Sequence, residues 1–157
     1  MPPTPEIVIR PAGPADLAAV VGIEAVSFPS PWGEDVYLPE LRRPETIFLS
    51  AVMGAEVAGY VLAWVAYDEA FILKIAVRPD CRRRGVAAAL MDALGSEARR
   101  RGAASVWLEV RSRNRPAREF YKKRGFVEMG FRKKYYSDTG DDAVTMALNL
   151  APIEQGG

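Results

Sequence analysis

The chain has 157 residues, 49% hydrophobic and 26% charged, the balance of a soluble globular protein long enough to bury one core. Its 21 basic and 20 acidic residues leave a net charge of +1, without the basic excess of a protein that works on a nucleic-acid backbone. The absence of histidine and the single cysteine, Cys81, exclude histidine triads and proton shuttles, most zinc sites, a cysteine-rich metal cluster and any disulfide within the chain.

The start, MPPTPEIVIRPAG, lacks a basic region followed by an apolar run, so no signal peptide is expected. Residues 6–10 (EIVIR) are β-branched and strand-like. A helix follows: Pro14 suits its first turn, Asp16 favours its positive end, and Leu17, Val20, Val21 and Glu24 trace one face. PSPWGED breaks it, and a second, short helix is predicted over 34–42. TIFLSAVM and EVAGYVLAWVAYDE read as two strands joined by a tight turn at Gly54-Ala55. AFILKIAV is a further strand, and its apolar run predicts burial on both faces. Leu90, Met91, Leu94 and Ala98 recur at helical spacing and predict a helix over 85–101, stopped by Gly102.

ASVWLEV is another strand, and 114–125 a short helix with Asn114 as a cap and Gly125 as its stop. FVEMGFRKKYYS and DAVTMALNL pair antiparallel around DTGD, and the tail 151–157 is expected to fray. No apolar stretch reaches a bilayer span, and the lone cysteine suits a reducing compartment, so a cytoplasmic protein is expected. This order argues one α/β (α+β) domain over 1–157, with its core at about 6–150.

CRRRGVAAAL joins the end of a strand to the start of a helix. A helix N-terminus offers unpaired N–H groups and partial positive charge, Gly85 admits close approach, and arginines add forked donors. The segment is a plausible pyrophosphate cradle or a solvated basic helix entry. It lacks the Gly-Lys-Ser/Thr of a nucleotide-triphosphatase loop and the three glycines of a dinucleotide fingerprint.

IAVRPDCRRRGVAAAL resembles the acetyl-CoA-binding segment of the GNAT superfamily of N-acetyltransferases, whose pattern Gln/Arg-x-x-Gly-x-Gly/Ala is matched by Arg82, Gly85 and Ala87. WLEVRSRNRPAREFYKKRGF, then YY and DDAVTMAL, is similar to the branch that acetylates protein N-termini, above all ribosomal-protein alanine N-acetyltransferases. The likeness covers about 7–148. It implies a mixed, mostly antiparallel sheet of about seven strands with a splayed parallel pair, flanked by about four helices.

It also implies acetyl-CoA as co-substrate and no metal. Backbone of Ile75, Ala76 and Val77 would pair with the pantetheine arm, and Arg82, Arg83, Arg84, Gly85, Val86, Ala87 and Ala88 would hold the pyrophosphate. Glu109, on the same strand face as Trp107 and so partly desolvated, takes the place of the general base; its other reading is an edge carboxylate paired with Arg111 or another arginine. Tyr121 takes the place of the general acid, against a packing aromatic with its hydroxyl bonded to backbone. Asn114 touches the cofactor, caps the helix, or both. Phe28, Trp32, Tyr135 and Tyr136 would hold the first residues of a peptide, although Phe28 and Trp32 also suit ordinary packing. Asp141 and Asp142 either attract a basic second residue or solvate a turn. Cys81 needs no role, because the amine attacks the thioester directly.

The expected activity is acetyl transfer in a ternary complex to a protein N-terminus, that of a small-subunit ribosomal protein in particular. Rival readings are transfer to a lysine or a small-molecule amine, a CoA- or partner-binding module without catalysis, and nucleic-acid binding through the arginines. No membrane or nucleic-acid partner is expected, and the chain is expected as a monomer or weak dimer.

Overall fold

The computed structural model describes residues 6–150, so the tail 151–157 lies outside the described residues. In chain order come β1 (Ile7–Pro11), α1 (Leu17–Ser27), α2 (Glu34–Tyr37), β2 (Thr46–Met53), β3 (Glu56–Ala66) and β4 (Glu69–Val77). Then follow α3 (Val86–Arg100), β5 (Ser105–Arg111), α4 (Arg115–Lys123), β6 (Val127–Arg132) and β7 (Ala143–Asn149). One seven-stranded sheet has the order β1-β2-β3-β4-β5-β7-β6. Every pairing is antiparallel except β4 with β5.

Both sheet faces carry a core. On one, α3 lays down the predicted stripe, with Leu90, Leu94 and Ala98 fully buried and Met91 nearly so. On the other, Leu17, Val20 and Ile23 of α1 and Tyr37 of α2 pack on Phe48, Tyr60 and Leu62. Each buried Leu, Ile, Val, Met or Phe among them contributes about 1.5–3 kcal/mol on leaving water. Gly59 decides where α3 begins: a Cβ there would lie 2.8 Å from the Ala76 carbonyl oxygen and 3.1 Å from Val86 Cγ1. The missing side chain lets the first turn of α3 close on the end of β4.

Three expectations need correction. The second helix is one α-turn followed by a 3-10 stretch, Leu38–Arg42, because Pro39 has no N–H to continue the α ladder. β6 ends at Arg132, so 133–137 leave the sheet as a loop. β4 is not buried on both faces: Phe71 is 39% exposed, and Leu73, Lys74 and Ile75 are half-buried.

The last has a topological cause. β4 and β5 pair only over Glu69–Ile72 with Ser105–Leu108. Beyond, β4 stays with β3 as far as Val77↔Gly59, and β5 stays with β7 as far as Arg111↔Ala143. A bulge that skips Leu73 in the β3–β4 register strengthens the local twist and helps the two strands part.

Candidate active site

The parted strands leave a groove of about 900 Å³, walled by β4, β5, the segment after α1, the start of α4 and the β6–β7 loop.

At one end of the splay, β4 passes through a 3-10 turn, Pro79–Cys81, into α3. Arg83 (φ +63°) and Gly85 (φ +85°) both adopt left-handed backbone, which turns successive N–H groups of such a loop to one side. α3 has no side-chain cap and no acidic residue in its first turn, so those N–H groups stay available to an anion. Val86 is buried and anchors the helix, while Ala87 and Ala88 are half-buried. The three arginines differ: Arg82 folds back so that Nε donates to the Val77 carbonyl at 3.3 Å, while Arg83 and Arg84 form no ion pair among the described residues. Ala76 and Val77 bury their side chains, and the backbone edge of Ile75–Val77 away from β3 carries no strand among the described residues.

Glu109 and Tyr121 line the groove together. The Glu109 side chain is only 8% exposed; Oε1 is 3.4 Å from Arg132 Nε, and Oε2 is buried without a partner among the described residues. Its cationic neighbour is therefore Arg132, not Arg111. Tyr121 is buried against Phe120 and Phe126, and its hydroxyl makes no hydrogen bond among the described residues. Burial, helped by nearby Tyr136, pushes that hydroxyl up to about 12, so it is protonated throughout the neutral range. The packing expected of this ring is present; the backbone bond to its hydroxyl is not. Asn114 Oδ1 accepts from the Ala117 N–H at 3.2 Å, capping α4, and the residue also lines the groove.

The α1 wall holds residues that sequence reasoning missed. Glu24 is fully buried and accepts hydrogen bonds from the Tyr37 hydroxyl, the Tyr60 hydroxyl (2.6 Å), Lys74 Nζ (3.0 Å) and the Trp32 N–H (3.1 Å). Burial alone would raise this carboxyl, but these donors outweigh it and hold the group below its usual range. Lys74 Nζ also lies 4.0 Å over the Phe28 ring and 4.5 Å over the Trp32 ring. Phe28 and Trp32 thus line the groove, where they already hold the chain's own cation. The signals were present: Glu24 is a charge on the apolar face of α1, and Lys74 interrupts FILKIAV. Ser27 also lines the groove, with a buried Oγ that has no partner among the described residues.

Tyr135 and Tyr136 flank the mouth with rings 5.2 Å apart, and Arg111 lies 4.0 Å over Tyr136. Burial and then the charge of Glu109 push the Tyr136 hydroxyl up to about 12, with Arg111 opposing. Arg111 grips Asp138 with two bonds of 3.0 and 2.9 Å, and Ser30 Oγ donates to the same carboxylate at 3.2 Å. Asp138 thereby ties the loop after α1 to the β6–β7 loop across the mouth. Asp141 faces Arg113 of the β5–α4 connection at 3.3 Å, and Asp142 accepts from the Lys134 N–H of its own loop at 2.9 Å, so both already have partners. Among the described residues no group of three or more acidic, cysteine or histidine side chains is placed to hold a metal.

Residues 17–126 match the model of the acetyltransferase (GNAT) family. The chain belongs to this family. Acetyltransferases of this kind include the ribosomal protein bS18-alanine N-acetyltransferase of Escherichia coli strain K12, 34% identical over 87% of this chain and 93% of that protein. An N-alpha-acetyltransferase of Sulfurisphaera tokodaii is 30% identical over 90% of this chain and 92% of its own length. The crystal structure of the E. coli ribosomal-protein-S18-alanine N-acetyltransferase superposes with a TM-score of 0.86 at 31% identity, covering 97% of this chain and 99% of that one. The chain is accordingly an N-acetyltransferase with the GNAT sheet, splayed pair included.

Proposed function

We propose that this acetyltransferase moves the acetyl group of acetyl-CoA to the α-amine of protein N-termini, the N-terminal alanine of a small-subunit ribosomal protein among them. What carries the reading is one groove, at the splay of the sheet, that holds both a carboxylate oxygen without a partner and a buried, protonated phenol. The tie through Asp138 supports an α-amine over a lysine, because a roofed mouth suits a chain end better than a side chain entering from mid-peptide. The activities named for the relatives support the same acceptor.

In this reading the free backbone edge of Ile75–Val77 receives the pantetheine arm, and the loop from Arg82 to Ala88 receives the pyrophosphate. An N-terminal amine has a pKa of about 7.7–8.0, against about 10.4 for lysine, and must lose a proton to attack the thioester. Glu109 accepts that proton, directly or through a water. The C–N bond forms as the C–S bond breaks, and Tyr121 delivers a proton to the departing thiolate. Holding amine and thioester together supplies the larger part of the rate, up to about 7–11 kcal/mol of barrier. The acceptor and the absence of a spanning helix among the described residues suit a protein of the cytoplasm.

The test is mass spectrometry with acetyl-CoA and two peptides: one with a free N-terminal alanine and no lysine, the other N-blocked with an internal lysine. The expected product is the acetylated N-terminus alone, with Glu109→Gln slowing transfer by about a hundredfold. Acetylation of the lysine alone would move the enzyme to side-chain acceptors. Acetyl-CoA binding without transfer to either peptide would leave a cofactor socket.

A further inference from the structure

Lys74 stands two residues beyond the last β4–β5 pair and Glu109 one residue beyond it, so the two flank the point where the strands part. Both lie on the α1 face of the sheet: Lys74 reaches Glu24 of α1, and Glu109 alternates with Leu108 and Val110, which face the α3 core. An amine brought to Glu109 therefore enters beside Lys74.

The charges around that point are unequally compensated. Arg111 of β5 is held by Asp138 at 2.9 Å, and Glu109 by Arg132 at 3.4 Å. The partner of Lys74 lies behind it. Glu24 is wholly buried and shared with Tyr37, Tyr60 and the Trp32 N–H, whereas Lys74 keeps 13% of its side chain exposed and lines the groove. The remaining titratable groups on these walls are phenols: Tyr121 and Tyr136 stay neutral to about 12, and Tyr135 sits at the mouth. Phe28, Trp32 and Glu24 make a cage of two rings and a carboxylate, the arrangement that binds organic cations. The chain fills it with its own lysine.

We propose that Lys74 sets the charge of the acceptor site: its ammonium, fixed by Glu24 and the Phe28 and Trp32 rings, repels an acceptor in the ammonium form and admits the neutral, nucleophilic amine. Like charges a few ångströms apart in a part-buried site disfavour each other strongly, so a bound amine gives up its proton more readily there than in water. Proton removal is thus begun by the field of Lys74 and completed at Glu109. The inference rests on reading the groove as the α-amine's site.

The experiment follows kcat against pH from 6 to 9, at saturating acetyl-CoA, with a lysine-free peptide beginning in alanine. It compares wild type, Lys74→Arg, Lys74→Met and the double variant Glu24→Gln/Lys74→Met, which leaves no buried charge unpaired should Lys74→Met alone not fold. The acidic limb, which reports groups in the loaded enzyme, moves up by about half to one pH unit in both Met variants and stays in place in Lys74→Arg. A second readout needs no turnover. The same peptide capped with a trimethylammonium group cannot shed its charge, and it binds Lys74→Met at least about tenfold more tightly than wild type, because the cage is vacated. Transfer with an unmoved limb, and equal binding of the capped peptide in every variant, would overturn the inference alone and leave Lys74 a brace for α1. Absence of any α-amine transfer by wild type would overturn the reading of the groove and the inference with it.

Discussion

Burial acts on single groups in this groove according to whether they have partners. Glu24 is wholly buried, yet four donors keep it ionised; Tyr121 is almost as deeply buried without one, and its proton is held up to about 12. A phenol with no hydrogen bond to lose is an informative residue to change. Tyr121→Phe removes the proton proposed for the departing thiolate but breaks no bond within the protein. Steady-state kinetics are expected to show kcat reduced roughly tenfold, since a thiol of pKa about 8.5 needs only modest help. Thermal unfolding is expected to show an unchanged Tm, because the hydroxyl opens on the groove and makes no hydrogen bond that the substitution would remove. A Tm lower by many degrees would mean that the hydroxyl has a structural partner.

Among the elements, the approach of α3 to the end of β4 organises the cofactor end of the groove. It depends on Gly59, whose missing Cβ leaves room for the Ala76 carbonyl and Val86. Gly59→Ala puts a methyl group against backbone at 2.8 Å, so β3 and β4 must shift and carry the first turn of α3 with them. Destabilisation by about 1–3 kcal/mol is expected in denaturant titration, as for other overpacked sites. Acetyl-CoA affinity, by calorimetry, is expected to fall more than the peptide KM rises, because the clash falls on the end of β4 and the first turn of α3. An unchanged affinity would show that the helix entry tolerates the shift.

Across the whole molecule, pH acts through paired groups of unequal depth. Glu97 and Asp80 are drawn down to about 2 by arginines, but they are exposed pairs that solvent screens and that contribute little. Glu24 is the deep one. Its folded pKa lies below the ordinary 4.5, so its stabilisation is complete above that value. As pH falls past it, the unfolded chain takes up the proton first and stability is lost. Melting curves from pH 6 to 2.5 are expected to fall steeply below about 4.5 in wild type and less steeply in Glu24→Gln, which starts from a lower Tm at pH 6. Parallel curves would move the acid sensitivity to another carboxylate.

Much of this molecule is written locally. The stripe Leu90, Met91, Leu94, Ala98 repeats within three turns of one helix, and the alternation of Val106, Leu108 and Val110 with Trp107 and Glu109 within one strand. Short windows carry such periods, and they sufficed for the element order and for the helix entry at Gly85. The positions of Glu109 and Tyr121 followed from motif resemblance. Contacts between distant segments were not legible. Lys74 meets Glu24 fifty positions away, Ser30 meets Asp138 at a separation of 108, and the arginine that faces Glu109, left open between Arg111 and another, is Arg132. Such pairs depend on strand order, on the bulge at Leu73 that helps β4 part from β5, and on which face each residue takes. The sequence by itself determined the order of helices and strands and the chemistry available to them. Only the tertiary structure decided which charges meet, because the energy of a charge depends on its depth and its neighbours, and both are set by packing.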